Sequence, residues 1–145
     1  MTHLSINRVK LLEHIKVLSS DQFEGRKIAS LGNQKSRDYL EEQLKNYNVG
    51  PFHNSYQHEF INQYFTKDVI GRNVMGIVEG TDFPNEYIVL TAHFDHLGTK
   101  GSIIYNGADD NASGTAALLA LAREISKTPL RYSVIFLFTD GEESN

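Results

Sequence analysis

Two near-continuous apolar runs, residues 88–92 and 134–139, stand out from the pattern of hydrophobic and polar positions. Neither alternates with polar residues, as expected of strands covered on both faces. Between them, over roughly 110–126, lies an Ala/Leu-rich stretch that reads as a helix, and a crossover of that length joins parallel neighbours in one sheet. Its first turns are built from small residues, Ala112, Ser113, Gly114, Thr115, Ala116 and Ala117. Gly114 weakens a helix there but permits close approach to the sheet.

Upstream, Val9, Leu11, Leu12, Ile15 and Leu18 fall largely on one face of a helix over 6–18, with Ser5 as its cap. Residues 19–26 break that period and read as an irregular surface connection. A second helix over 34–47 has Tyr39, Leu40 and Leu44 as its buried stripe and Asn33 as its cap. Gly50-Pro51 punctuates the chain before an edge strand at 56–61, and a further strand at 73–78 closes in the turn 79–82. The pattern predicts an α/β fold, three-layer α/β/α around a mixed, mostly parallel central sheet, in a single domain over 1–145.

At 145 residues with 40% hydrophobic content, the chain can bury one proper core. A net charge of −4 with scattered Lys and Arg gives no electrostatic footprint for nucleic acid or an anionic membrane. No apolar run approaches the ~20 residues of a membrane span, and the N-terminus lacks a basic segment followed by an apolar one, so compartment is open. Cysteine is absent, so any metal must sit on His, Asp and Glu.

Those residue types gather at the ends of the two apolar runs. The first delivers His93-Phe94-Asp95, the crossover opens with Asn106-Gly107-Ala108-Asp109-Asp110-Asn111-Ala112-Ser113-Gly114, and the second delivers Asp140-Gly141-Glu142-Glu143. Open α/β sheets carry their sites beyond the carboxyl ends of strands. His93 alone is most simply a satisfied buried imidazole, but Asp95 two residues on can accept from the ring nitrogen facing away from a metal. Asp109 and Asp110 are also natural helix caps, and Glu142-Glu143 could be a solvated acidic turn. Acids brought together from three loops repel unless a cation or proton intervenes, which favours a metal among His93, Asp110 and Glu143. His96 is ambiguous, and His3, His14, His53 and His58 have no clustered carboxylates beside them, the mark of ordinary surface or half-buried roles.

The three motifs, in this order and spacing, resemble the co-catalytic zinc aminopeptidases of peptidase family M28, and the likeness runs from about Leu18, through Glu24-Gly25-Arg26, to the last residue. The resemblance implies a zinc-exopeptidase-like domain that uses two zinc ions. His93 would hold one ion, Asp110 would bridge both, Glu143 would hold the other, Asp95 would orient His93 and Glu142 would be the general base or acid. It further implies an Asp and a His ligand from later segments, so the chain reads as an incomplete N-terminal half, weakly active or inactive alone, with an open sheet edge that invites self-association. The implied substrate is a peptide with a free N-terminus. Carboxypeptidase or glutaminyl-cyclase-like activity on the same scaffold, or a non-catalytic binding domain, are the rival readings.

Overall fold

In a computed structural model, residues 5–64 and 67–144 are described. His3 lies outside them. The longest strand, β3 (Lys67–Val78), follows α1 (Arg8–Leu18), α2 (Leu31–Asn46), β1 (Gly50–Pro51) and β2 (Gln57–Tyr64). β4 (Phe83–His93), the ribbon strands β5 (Gly98–Lys100) and β6 (Ile103–Tyr105), α3 (Gly114–Lys127) and β7 (Tyr132–Thr139) complete the order.

Strand β3 pairs antiparallel with β1 and β2 on one side and with β7 on the other, and β7 in turn pairs parallel with β4. The sheet is mixed, as the sequence pattern predicts, but the expected majority of parallel pairs is absent: β4 with β7 is the parallel pair among the described residues. Only that pair is joined by a helical crossover, whereas the chain from β1 to β3 doubles back on itself. The register sets His93 beside Thr139, so both strands release their loops at one rim of the sheet.

The core lies on one face of this sheet. Val74 and Val78 of β3 and Val134, Phe136 and Phe138 of β7 meet Leu40 and Leu44 of α2 and Leu118, Leu119, Ala122 and Ile125 of α3. Helix α1 packs on α3. The described residues thus supply a helical layer and the sheet. The sequence pattern has β4 covered on both faces, yet Tyr87, Ile88 and Val89 are exposed: β7 pairs with one edge, and the core reaches β4 only nearer its end, at Leu90 and Ala92. No helix among the described residues is long and apolar enough to cross a membrane.

Helix boundaries shift for local reasons. Asn7, not Ser5, caps α1, its Oδ1 accepting from the Lys10 amide, and Ser30, not Asn33, caps α2 by accepting from the Asn33 amide. Asn33 is thereby carried into the helix and buried. Residues 19–26 are no bland surface loop: Asp21–Arg26 form a short 3-10 turn in which Phe23, Gly25 and Arg26 are buried. Nor is the loop before the crossover featureless, since β5 and β6 pair there.

The α1 stripe also departs from expectation. Val9 and Leu12 face solvent, while His14, expected in a surface or half-buried role, is 3% exposed. Its Nδ1 lies 2.6 Å from the Tyr39 hydroxyl and its Nε2 2.8 Å from that of Tyr47. A neutral ring has one donor and one acceptor nitrogen, so one tyrosine accepts and the other donates. Burial pushes the His14 pKa down and the Tyr39 hydroxyl up to about 12.

A depressed pKa means that the unfolded chain takes up the His14 proton first, so stability is lost as pH falls below about 6.5. The midpoint of thermal unfolding of His14→Gln, followed by calorimetry from pH 7 to pH 5, should therefore decline less steeply than that of the wild type. Parallel slopes would contradict the assignment of His14 as a neutral buried bridge.

Candidate metal centre

His93 is the last residue of β4, and its carbonyl accepts from Thr115 Oγ1 at 2.8 Å. Thr115, Ala112 and Ala116 are all buried, so the small residues opening α3 bring its first turn against the end of β4. Gly114 serves a different neighbour from the one its sequence context suggests. A Cβ there would lie 2.3 Å from Asn111 Oδ1, which accepts from the Gly114 amide, so the glycine admits the Asn111 side chain rather than the sheet. Gly107 does permit a close approach: φ is +53°, and a Cβ would fall 2.3 Å from the Asp110 carbonyl oxygen and 2.5 Å from the His96 ring.

Three loops converge at the rim. His93 Nε2 stands 3.2 Å from Asp110 Oδ1 and 4.0 Å from Glu142 Oε2. On the far side of Asp110, His96 Nδ1 lies 2.6 Å from Glu143 Oε1, a bond in which the ring donates. Donor atoms of His96, Asp110 and Glu143 all lie within 4.8 Å of one another. The structure thus brings His93, Asp110, Glu142 and Glu143 together and adds His96 beside them. Asp109 stays out, and neither aspartate caps the turn. His58 bonds to the Ser55 carbonyl and His53 is exposed, both away from this rim.

Asp95 is completely buried beneath the rim, and its two carboxylate oxygens accept from the amides of Glu142 and Glu143 at 3.2 and 3.1 Å. The carboxylate lies too far from the His93 ring to accept its proton. Nδ1 instead lies 3.2 Å from the Asp95 carbonyl oxygen, against 3.6 Å to the carboxylate. Asp95 therefore meets His93 through its backbone carbonyl and the Glu142-Glu143 turn through its side chain. Burial pushes its carboxyl pKa up, opposed by the two amide donors.

Asp140 is no member of the acid cluster. Buried and raised in pKa by that burial, it accepts from Asn33 Nδ2 at 2.7 Å and from the Arg72 amide at 3.0 Å, tying the turn to α2 and β3. A cleft of about 740 Å³ runs between Phe60, Asn62 and Asp68 and the turn 139–142, reaching the rim at Glu142.

These side chains fit a divalent ion. Nδ1 of His93 faces a carbonyl oxygen, which can only accept; with the ring proton held there, the lone pair of Nε2 would be free for an ion lying between it and Asp110. Donors about 2.0–2.1 Å from a tetrahedral zinc stand about 3.3 Å apart, close to the His93–Asp110 separation. The set of imidazole and carboxylate donors is one that zinc accepts. Sequence reading reached His93, Asp95, Asp110, Glu142 and Glu143 but left His96 ambiguous and gave Arg26 and Asn33 no role in the site. The spacing of His96, three residues past His93 in a tight loop, was the one signal available for it.

Residues 73–145 match the model of Peptidase family M28. The alkaline phosphatase isozyme conversion protein of Escherichia coli is 27% identical over 135 residues, which cover 83% of this chain and 39% of that protein. Among solved structures, a Zn-dependent exopeptidase from Parabacteroides distasonis superposes with a TM-score of 0.81 at 22% identity, over 99% of this chain and 50% of the other. The glutaminyl cyclase of Fimbriiglobus ruber does so with 0.82 at 17%, over 99% and 48%. Both likenesses bear on the fold, and the chain spans about half the length of each.

Asp95→Asn should cost about 1–3 kcal/mol in urea unfolding of the metal-free chain, because a carboxamide offers one acceptor oxygen where two part-buried amides need partners. An unchanged midpoint would show that those amides do not depend on the carboxylate.

Proposed function

This chain belongs to peptidase family M28, and on that premise we propose that its rim is the centre of an aminopeptidase, removing residues from the free N-terminus of a peptide with two zinc ions. The observation that carries the reading is the convergence of donors from three separate loops, with His93 Nε2 within 3.2 Å of Asp110 and 4.0 Å of Glu142. In this reading His93 would hold one ion, Asp110 would serve both and Glu143 would hold the other. When bound, the ions would supply Lewis acidity toward water and the scissile carbonyl.

The division of labour between the adjacent glutamates follows from their surroundings. Glu143 is partly buried and bonded to His96, whereas the Glu142 carboxylate is largely exposed beside His93. A carboxylate committed to a metal is a poor proton acceptor, so Glu142 takes the proton of the attacking water and returns it to the departing amine as the carbon–nitrogen bond breaks. Asp95 keeps Glu142 and Glu143 in register through their amides.

The activity of the whole protein is part of the proposal. Three assigned protein donors spread over two ions make a sparse shell, so the 145-residue polypeptide should bind zinc yet turn over weakly. A glutaminyl-cyclase-like or carboxypeptidase reaction on this scaffold is separated by substrate. Peptides free at the N-terminus should be cleaved, while N-blocked peptides and N-terminal glutaminyl peptides should not be cleaved and cyclised respectively.

By titration calorimetry, His93→Ala and Asp110→Asn should each weaken zinc binding at least about tenfold, since even partners outside the ligand set are worth that much. Glu142→Gln should keep the zinc affinity and reduce any chelator-sensitive turnover about 100-fold or more. A wild-type chain that binds no zinc, or one that cleaves N-blocked peptides, would sink the reading.

A further inference from the structure

Arg26 is the largest of the fully buried side chains, and no step proposed above uses it. Its guanidinium sits between the loops that carry the candidate metal donors. Nε donates to the Phe94 carbonyl at 2.7 Å, between His93 and Asp95. NH1 donates to the Asn106 carbonyl at 2.7 Å and NH2 to that of Gly107 at 2.9 Å, at the start of the turn that delivers Asp110. NH1 also donates to the Leu18 carbonyl at the end of α1 at 2.5 Å. The backbone of the same residue adds two ties, its carbonyl accepting from the His96 amide at 3.4 Å and from Asn33 Nδ2 at 3.2 Å.

The local backbone is shaped around this placement. Glu24, Gly25 and Arg26 all have positive φ, 51°, 67° and 54°, a conformation that L-residues adopt against steric resistance and that persists where surrounding contacts over-determine it. A Cβ on Gly25 would lie 2.4 Å from the Gly98 carbonyl oxygen and 2.5 Å from that of Tyr105, so the turn is pressed against the β5–β6 ribbon. A Cβ on Gly107 would lie 2.7 Å from NH2 of Arg26, so the glycine leaves room for the guanidinium.

We infer that Arg26 is a positioning residue for the metal centre: its planar fork, by bonding Phe94 on one side and Asn106 and Gly107 on the other, fixes the separation of the His93 and Asp110 loops before an ion binds. The inference rests on the reading of this rim as a metal centre. Only guanidinium supplies five donors in a rigid plane that can bridge two loops at once; lysine carries the same charge on a single point and cannot span both. The charge is itself opposed by burial, which lowers the Arg26 pKa to about 10, and is favoured by Asp95, Asp110 and Glu143 nearby. At neutral pH a buried cation therefore faces the acids from below, easing their repulsion without occupying the space between them.

The test compares Arg26→Lys with Leu44→Ala, a core truncation remote from the rim, in the 145-residue chain, by thermal unfolding and zinc calorimetry. If Arg26 positions the donors, Arg26→Lys binds zinc at least tenfold more weakly, whereas Leu44→Ala, though less stable, keeps wild-type affinity. Wild-type affinity in folded Arg26→Lys, or an equal loss in both variants, overturns the inference.

A second measurement needs no variant. In the metal-free wild type, the Arg26 Nε–H should exchange slowly with solvent by NMR, as should the Ala112 amide, which donates to the Gly107 carbonyl at 3.1 Å. Fast exchange of the Arg26 proton overturns the inference even if Arg26→Lys fails to fold. A wild type that binds no zinc while that proton exchanges slowly overturns both the proposed function and the metal-positioning role, leaving a structural clamp. Normal zinc binding with a fast-exchanging proton overturns the inference alone.

Discussion

The parallel pairing of β4 with β7 is the constraint from which the rest of the molecule follows. Parallel neighbours must be joined by a crossover, and that crossover is α3, whose first turn therefore starts at the same rim where both strands end. Three chain segments distant in sequence are thus obliged to begin or finish within one small volume. The apolar contacts of α3 with β7 hold this arrangement from one face, and Thr115, bonded to the His93 carbonyl, transmits it to the backbone at the site.

Beneath the rim the scaffold is polar. Asp95, Asp140, Asn33 and Arg26 are buried, and each satisfies itself on backbone groups or on one of the others. Such groups contribute less to net stability than an apolar core does, but a buried polar group left unpaired is costly, so they discriminate sharply between one loop arrangement and any other. Among the described residues only Asn106 Oδ1 is a buried side-chain polar atom without a partner. The hydrophobic face thus supplies cohesion, and the buried hydrogen bonds supply the placement of the donors.

The readable and unreadable parts of this sequence divide along the same line. Strand and helix positions, the small residues of α3 and the acids and imidazole at the rim follow from local periodicity and from residue chemistry, and both are visible in a short window. The exposure of Val89 was not legible, because coverage depends on what packs against a strand and not on its own composition. His14 and Arg26 were missed for a related reason. Each has partners well separated in sequence, Tyr39 and Tyr47 for the histidine, and Phe94, Asn106 and Gly107 for the arginine. Asn33 looked like a cap because its role at Asp140 spans 107 positions of chain.

Gly141 separates two carboxylates that point opposite ways, with Asp140 turned inward to α2 and β3 and Glu142 outward at the rim. Its φ is +79°, and a Cβ would come within 2.7 Å of Asn62 Nδ2 and 2.9 Å of Ile28. The glycine behaves as a pivot between an anchored acid and the one proposed to carry the proton: a side chain there would be a double lesion, loosening the first and misaiming the second while leaving both intact in the primary structure.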